Sequence, residues 1–475
     1  MFKKTALLKS ISVYGLGGVL SQFAGVLTVP VYTRFLSTAD FGLLDLILSF
    51  AGILTVLVTM EMHSGYARSY YESKSINKLE TLRGTVISSI LINYLVISII
   101  VFIAILIFDR EFLYIVYAIP VMFNLLPATM VMLTLATLRM EEKPIIFSII
   151  TLSNILMIVA FGIAFVTIFN LGIRGILWSN AIVSIVIYII LNLFLQDYTR
   201  FTFNLTYFRE TFKYSAPIVP AVLSSWINIH IGRIFIAGAL SLNVLGIYAI
   251  AIKVSLILSI FTRAFRYSWD PIAIQSFGVD NSERLFSKTL NYYILTATLI
   301  AIITTIFSPL IVSLLAPIEY YNAVAYVGIL VIGQMWDGSI PIISSGNSWA
   351  RKTYFNSIGT IIPSILLIVI LYFFTKSGGV ILVAALFLGT SIMKTIIILF
   401  FAQRNHFIPY EISSLILSLV FTIIFSTISY LIFSHTVWEW WLQSLSLGLV
   451  GLIILMSLVF KFYGHVNIKN IYASL

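Results

Sequence analysis

The sequence predicts an all-α integral membrane protein of about fourteen transmembrane helices, on three observations. Of its 475 residues, 60% are hydrophobic and only 10% are charged, whereas a soluble domain has about 25% charged residues. The apolar stretches reach about 20 residues, the length that a helix needs to cross a bilayer and about twice that of a barrel strand. The basic residues cluster between those stretches. A chain of this composition cannot cover itself with a polar surface.

Cutting the chain at its polar clusters gives fourteen spans, with ends placed to within about four residues. The first follows "MFKKTALLKS" and has no signal-type cleavage site, so we interpret it as an uncleaved helix. The predicted spans are residues 10–34, 40–62, 83–108, 112–138, 144–168, 173–195, 213–239, 244–266, 287–315, 322–345, 354–374, 379–402, 411–433 and 440–460.

The distribution of Lys and Arg predicts the orientation. With a cytoplasmic N-terminus, 21 of the 28 basic residues fall at inner ends. The four at outer ends are Arg34, Arg110, Arg174 and Lys376. Because basic residues favour the cytoplasmic side, we expect both termini inside and an even number of spans. The net charge of +10 then reflects topology, which argues against a nucleic-acid partner.

Two similar strings suggest a duplication. "FLSTADFGLLDLILS" (35–49) and "ALSLNVLGIYAIAIK" (239–253) are 204 residues apart, and each is an outer turn between the first two spans of a six-span half. Six plus six spans in one orientation is the parallel-repeat arrangement of some transporters. We therefore predict four parts of the chain: an N-terminal lobe (residues 1–195), a cytoplasmic loop (196–212), a C-terminal lobe (213–403), and two further spans with a cytoplasmic tail (404–475).

The segment "YGLGGVLSQFAGVLTVPVYTRFLSTADFGLLDLILS" and the later "INIHIGRIFIAGALSLNVLGIYAIAIK" resemble helices one to two and seven to eight of Wzx-type polysaccharide-biosynthesis flippases. These belong to the superfamily that includes multidrug extruders and the lipid II flippase. The seventh helix of the family often contains an Asp-Arg pair. This chain has Gly232-Arg233 there, so it retains the arginine and lacks the aspartate. The resemblance implies a MATE-like fold, with two six-helix lobes around a central cavity that opens alternately to each side.

The resemblance also implies a cargo and a location. The cargo would be an undecaprenyl-diphosphate-linked oligosaccharide for O-antigen, capsule or exopolysaccharide, moved from the inner to the outer leaflet of the bacterial inner membrane. The partners implied are this lipid-linked substrate, membrane lipids, and the polysaccharide polymerase and chain-length machinery.

Three basic residues lie well inside predicted spans: Arg233, Lys253 and Lys394. A charge at mid-membrane costs about 2.5–3.5 kcal/mol on insertion scales, so each needs a reason. Helical geometry places Trp226, His230 and Arg233 on one face, suited to a sugar and a diphosphate. The alternative for Arg233 and Lys394 is that the side chain extends to the membrane–water interface and does not contact the cargo. For His230, the alternative is a hydrogen-bonded histidine that takes no part in binding.

Arg34, at the outer end of span one, could line the exit or anchor at lipid headgroups. Asp45 in span two and Asp337 in span ten are the acids inside spans. Either could bind H⁺ or Na⁺ as a coupling ion, or pair with a buried base. These eight residues are the predicted site.

Signatures of enzymes are missing from the sequence. There is no phosphate-binding G-x-x-x-x-G-K-[ST] loop, no H-E-x-x-H zinc motif and no cysteine. We therefore expect no enzymatic activity, no metal and no cofactor other than H⁺ or Na⁺. The alternatives are an ion-coupled small-molecule exporter of the same superfamily and, with less support because every outer loop is short, a membrane polysaccharide polymerase.

Overall fold

The computed structural model describes residues 26–108, 114–194, 201–435 and 440–463, and every regular element in these ranges is helical. Eleven of the described helices are long and apolar enough to cross a membrane. A helix is suited to the bilayer because it satisfies its own backbone hydrogen bonds, which hydrocarbon cannot do. The predicted all-α membrane class is confirmed.

The chain divides into two compact units, and the first extends to His230. Within this unit, α5 packs against α2, α4, α6 and α7. The helices are α1 (26–35), α2 (Thr38–Thr59), α3 (Met62–Ser75), α4 (Leu79–Phe108), α5 (Ile115–Met140), α6 (Pro144–Thr167), α7 (Gly172–Phe194), α8 (Leu205–Ser215) and the first part of α9 (Val219–Ala239).

The second unit begins at Ile231, inside α9. Its central element is α13, which packs against α10, α11, α15 and α16 and has 15 of its 20 residues buried. The helices that follow α9 are α10 (Leu242–Ser276), α11 (Ser282–Ile306), α12 (Ser308–Leu315), α13 (Val324–Ile343), α14 (Ser345–Trp349), α15 (Tyr354–Asn405), α16 (Ile412–His435) and α17 (Trp440–Tyr463), with a 3₁₀ helix at Ile318–Ala323.

The longest element, α15, is a hairpin of two antiparallel helices. Its residue Gly379 has φ 61° and ψ −159°, a conformation open essentially only to glycine. On either side of this turn, the rings of Phe355 and Phe401 stack with their centroids 4.4 Å apart. Gly359 likewise lies against Ile398. Residues at similar distances along the chain before and after Gly379 therefore meet, and the predicted eleventh and twelfth spans are separate crossings.

The number of crossings agrees with the sequence. Counting α15 as two segments turns the eleven candidate spans into twelve. The apolar segment Leu442–Leu458 of α17 adds one. The predicted first span lies largely outside the described residues, which include only its end, as α1. The prediction of about fourteen transmembrane helices is confirmed.

Two predicted connections contain helices that hydropathy did not reveal. Between the second and third predicted spans, α3 occupies most of residues 63–82, and α8 begins inside the predicted 196–212 loop and ends three residues beyond it. Both helices are short and rich in polar residues, so they give no span-like signal. These helices are stabilised by packing, because α3 buries Met62, Tyr66 and Tyr70 and its Gly65 lies directly against α8.

Candidate functional site

The second unit contains an ion pair between two helices at membrane depth. Asp337 lies on α13, and Lys394 lies on the second arm of α15. The Lys394 Nζ is 2.6 Å from the Asp337 Oδ1, with 6% of the lysine side chain and 23% of the aspartate side chain exposed. The contact is therefore a short, largely buried ion pair. A base and an acid 57 positions apart thus neutralise each other where a lone charge would be costly.

The hydroxyl groups around this pair donate to backbone carbonyls. Tyr293 donates to the carbonyl oxygen of Met335 at 3.1 Å. Thr395 shares its hydroxyl proton between the Ser391 carbonyl, at 3.0 Å, and the carbonyl of Trp336, which precedes Asp337, at 3.3 Å. In the part of the chain that the structure describes, no further hydrogen bond reaches Asp337 or Lys394. Among the described residues, the carboxylate therefore depends on the ammonium alone for its counter-charge.

Gly338 allows α13 to approach α11 at this point. A Cβ on Gly338 would clash with the Tyr293 hydroxyl and lie 2.7 Å from the Thr262 Oγ1. Tyr293 cannot easily yield, because it is 1% exposed and hydrogen bonded. Glycine is required here because a side chain would have no space. Its backbone conformation is an ordinary helical one, which any residue can adopt.

Gly338→Ala is expected to lower the free energy of unfolding by about 1–3 kcal/mol through overpacking. The matched control is Gly389→Ala in α15, where a Cβ would meet no atom within 4 Å. Because alanine is favoured over glycine in helices, that control should be neutral or stabilising by up to about 1 kcal/mol. Unfolding in detergent micelles measures both, and equal effects of the two changes would contradict the steric role of Gly338.

In the first unit, Trp226 and His230 stack with their ring centroids 5.3 Å apart. The Trp226 indole N–H donates to the carbonyl of Ser49 on α2 at 3.0 Å, and the His230 Nδ1 is 3.0 Å from the Ser49 Oγ. Because Ser49 already donates its hydroxyl proton to the carbonyl of Asp45 at 2.8 Å, His230 must donate through Nδ1. The two rings therefore share one face, as predicted, and in this conformation that face is packed against α2.

The remaining predicted residues occupy different environments. Arg233 is buried, with 6% of its surface exposed, and Asp45 is buried at 8%. Lys253 is half-buried on α10. Arg34 is exposed near the end of α1 and donates to the Pro30 carbonyl at 2.6 Å. Asp337 thus contacts Lys394, and Trp226 contacts His230. Asp45 and Arg233 also have interactions with other residues.

A buried charged cluster at the basic end of the first unit was missed by sequence reasoning. Arg83 on α4 is 5% exposed. Its Nε donates to the Tyr66 hydroxyl at 3.3 Å, and its guanidinium lies 3.7 Å from Glu141 at the end of α5. Glu141 also pairs with Lys143 at 2.8 Å and accepts a hydrogen bond from Tyr70. The cluster joins α3, α4 and α5.

The cluster changes the chemistry of the tyrosines of α3. Burial raises the pKa of Tyr66, which the nearby Arg83 only partly offsets. Burial and the adjacent Glu141 also raise the pKa of Tyr70. Both hydroxyls therefore stay protonated at neutral pH. That of Tyr70 donates to Glu141, and that of Tyr66 accepts from Arg83. The one sequence signal was the spacing of Tyr66 and Tyr70, four residues apart and so on one helical face.

No cluster of three or more His, Asp or Glu side chains suited to a metal ion occurs within residues 26–108, 114–194, 201–435 and 440–463. The acids at membrane depth, Asp45 and Asp337, lie in different units.

The fold matches those of solved membrane transporters. A structure of the lipid II flippase MurJ, in an inward closed conformation, aligns with a TM-score of 0.68 at 15% identity, covering 95% of this chain and 98% of MurJ. An inward-facing multidrug resistance MATE family transporter of the MOP superfamily aligns with a TM-score of 0.61 at 12% identity, covering 81% and 94%. A MOP superfamily transporter from Pyrococcus furiosus gives 0.59 at 12% identity, covering 84% and 95%. The protein thus has the multi-pass fold of the MOP transporters and flippases.

The sequence profile of the family described as "Polysaccharide biosynthesis protein" matches residues 7–277, more than half of the chain. The chain belongs to this family. Comparison with curated protein sequences gives no significant match.

Proposed function

We propose that this protein is a flippase that moves an undecaprenyl-diphosphate-linked oligosaccharide from the inner to the outer leaflet of the bacterial inner membrane by alternating access. Membership of the polysaccharide biosynthesis family supports the pathway, and the MurJ-like fold supports a lipid-linked cargo. The repeat unit would serve O-antigen, capsule or exopolysaccharide synthesis. The polymerase and chain-length proteins that use the flipped product are the proposed partners.

The observation that carries this proposal is the charge at membrane depth in the second unit. Lys253 follows Leu242, the first residue of α10, by 11 positions, about 16 Å along the helix and so near the middle of a bilayer about 30 Å thick. Within the described ranges, no carboxylate forms an ion pair with Lys253. A half-buried ammonium in this position suits an anionic group of a cargo, and a diphosphate diester is such a group.

The membrane potential can drive this step without a nucleotide. A diphosphate diester carries about two negative charges, and each gains about 2.3 kcal/mol per 100 mV on moving away from a negative interior. The gain is therefore below about 5 kcal/mol in total. Basic residues such as Arg68, Lys74 and Lys78 support a cytoplasmic location for the leaflet in which the cargo starts, by the positive-inside rule. Both termini would lie there as well.

A second candidate function is export of a small molecule coupled to H⁺ or Na⁺. Two observations favour it: the MATE-like fold and the buried acid Asp45, which is 8% exposed. Cationic drugs would be attracted by acids at membrane depth, so the two candidates predict opposite roles for Lys253. In an exporter of cations its removal would be tolerated, whereas in a diphosphate flippase it would be harmful.

The test compares Lys253→Ala, Lys253→Arg and Arg233→Ala in a strain whose only copy of the gene is the one changed. A charged hydrogen bond is worth about 1.5–3 kcal/mol, so each Ala variant should lower flipping about ten-fold or more. Lipid-linked oligosaccharide should then accumulate in the inner leaflet, and Lys253→Arg should retain more activity. Lys376→Ala, which changes an exposed lysine near the α15 turn, is the control. Full surface polysaccharide in both the Lys253→Ala and Arg233→Ala strains would contradict the proposal.

A further inference from the structure

The residues next to Asp337 carry oxygen atoms of the kinds that coordinate a hard cation. The carbonyls of Met335 and Trp336 lie on the same turn of α13, and the hydroxyls of Tyr293 and Thr395 donate to them. Oxygen atoms of carboxylates, carbonyls and hydroxyls are the preferred ligands of hard metal ions. With one carboxylate, the pocket balances a single positive charge.

In this protein the positive charge that balances Asp337 belongs to a side chain, that of Lys394. The Lys394 ammonium is a compact point charge that lies 2.6 Å from the carboxylate, and only 6% of its side chain is exposed. It reaches the pair from the second arm of α15, while Asp337 belongs to α13. The ammonium therefore cannot diffuse away as a bound ion can, and it leaves the carboxylate with no unbalanced charge for a second cation.

We propose that Lys394 is a built-in counter-ion that excludes dissociable cations from Asp337, and that removing its ammonium converts this pocket into a binding site for a monovalent alkali cation such as Na⁺. Lys394 is thus a residue that determines the ion specificity of the second unit. The native pocket then takes no coupling ion.

The inference goes beyond the proposed function and does not depend on the cargo. It concerns binding of a cation to the purified protein, whereas flipping is measured on lipid-linked oligosaccharide in cells. A failure of either test therefore leaves the other result standing.

The experiment compares thermal unfolding of purified wild type and Lys394→Met, at alkaline pH, in NaCl and in choline chloride of the same ionic strength. Methionine keeps most of the lysine side chain but lacks the ammonium. A ligand that binds the native state raises Tm by mass action. We expect Na⁺ to raise the Tm of Lys394→Met by about 3 °C or more, with saturation, and to leave the wild type unchanged relative to choline.

Two variants control the interpretation. The double variant Asp337→Asn with Lys394→Met lacks the carboxylate and should lose the response to Na⁺. Lys376→Met removes an exposed lysine and should behave as the wild type. Should Lys394→Met unfold during purification, Lys394→Gln, which keeps a hydrogen-bond donor, takes its place with the same expected response.

Three results would overturn the proposal. One is a saturable response of the wild type to Na⁺ that disappears in Asp337→Asn, because it would mean that the lysine does not exclude the ion. Another is a folded Lys394 variant that ignores Na⁺. The third is a variant that is stabilised only by lowering the pH, because the vacated carboxylate would then take up a proton and not a metal ion.

Discussion

Replacing Asp337 with asparagine is expected to lower the free energy of unfolding by about 3 kcal/mol, the largest effect that we predict for a single charged residue. The change keeps the shape of the side chain but leaves the Lys394 ammonium buried without its counter-charge. Removing one partner of a buried ion pair costs about 3–5 kcal/mol, and the lower end applies because Asp337 is 23% exposed. Urea unfolding in detergent micelles, read by tryptophan fluorescence, measures the loss.

The double variant Asp337→Asn with Lys394→Met separates the pair from its surroundings. Because both charges are then absent, it should recover most of the stability that Asp337→Asn loses. A double-mutant cycle of the four proteins gives the coupling energy between the two residues. If the double variant is as unstable as the sum of the single variants, the ion pair is not what holds α13 to α15 at this point.

Replacing Arg83 with methionine should lower the free energy of unfolding by about 2 kcal/mol. The guanidinium is 5% exposed, donates to Tyr66 and lies beside Glu141, and a hydrogen bond to a charged group is worth about 1.5–3 kcal/mol. Glu141 keeps Lys143 as a partner at 2.8 Å, so the acid is not left alone and the loss stays moderate. Unfolding in micelles again provides the measurement.

Arg68→Met is the matched control, because Arg68 is exposed on α3 at the same end of the unit. Exposed substitutions of this kind change stability by about 0.5 kcal/mol or less. An effect of Arg68→Met as large as that of Arg83→Met would mean that the general loss of basic charge matters and the buried cluster does not.

The spans could be predicted from the sequence because the bilayer imposes a local rule. A crossing helix must be apolar over about 20 residues whatever it packs against, and the predicted spans 83–108, 144–168 and 411–433 correspond closely to α4, α6 and α16. The shorter helices α3 and α8 follow no such rule. These two helices pack against each other at Gly65 of α3, and that contact exists only in the packed structure.

Within a single helix, the sequence could predict which side chains lie on the same face. The helical repeat places Trp226 and His230 together, and they stack as expected. Nothing local indicates that Ser49, 177 positions before Trp226, supplies their hydrogen-bond partners. Sequence reasoning placed both rings at a ligand, and that role stays a prediction for a conformation in which the face is uncovered.

The sequence by itself determined the all-helical membrane class, the number of crossings and the identity of the charged residues within them, because each follows from the cost of polar groups in hydrocarbon. Only the tertiary structure decided which charges neutralise each other. Arg83 looks like a topology signal and is buried, and Lys394 looks like a cargo ligand and pairs with Asp337. The reason is physical: the energy of a buried charge depends on atoms within a few ångströms, and those atoms come from helices that are distant in the chain.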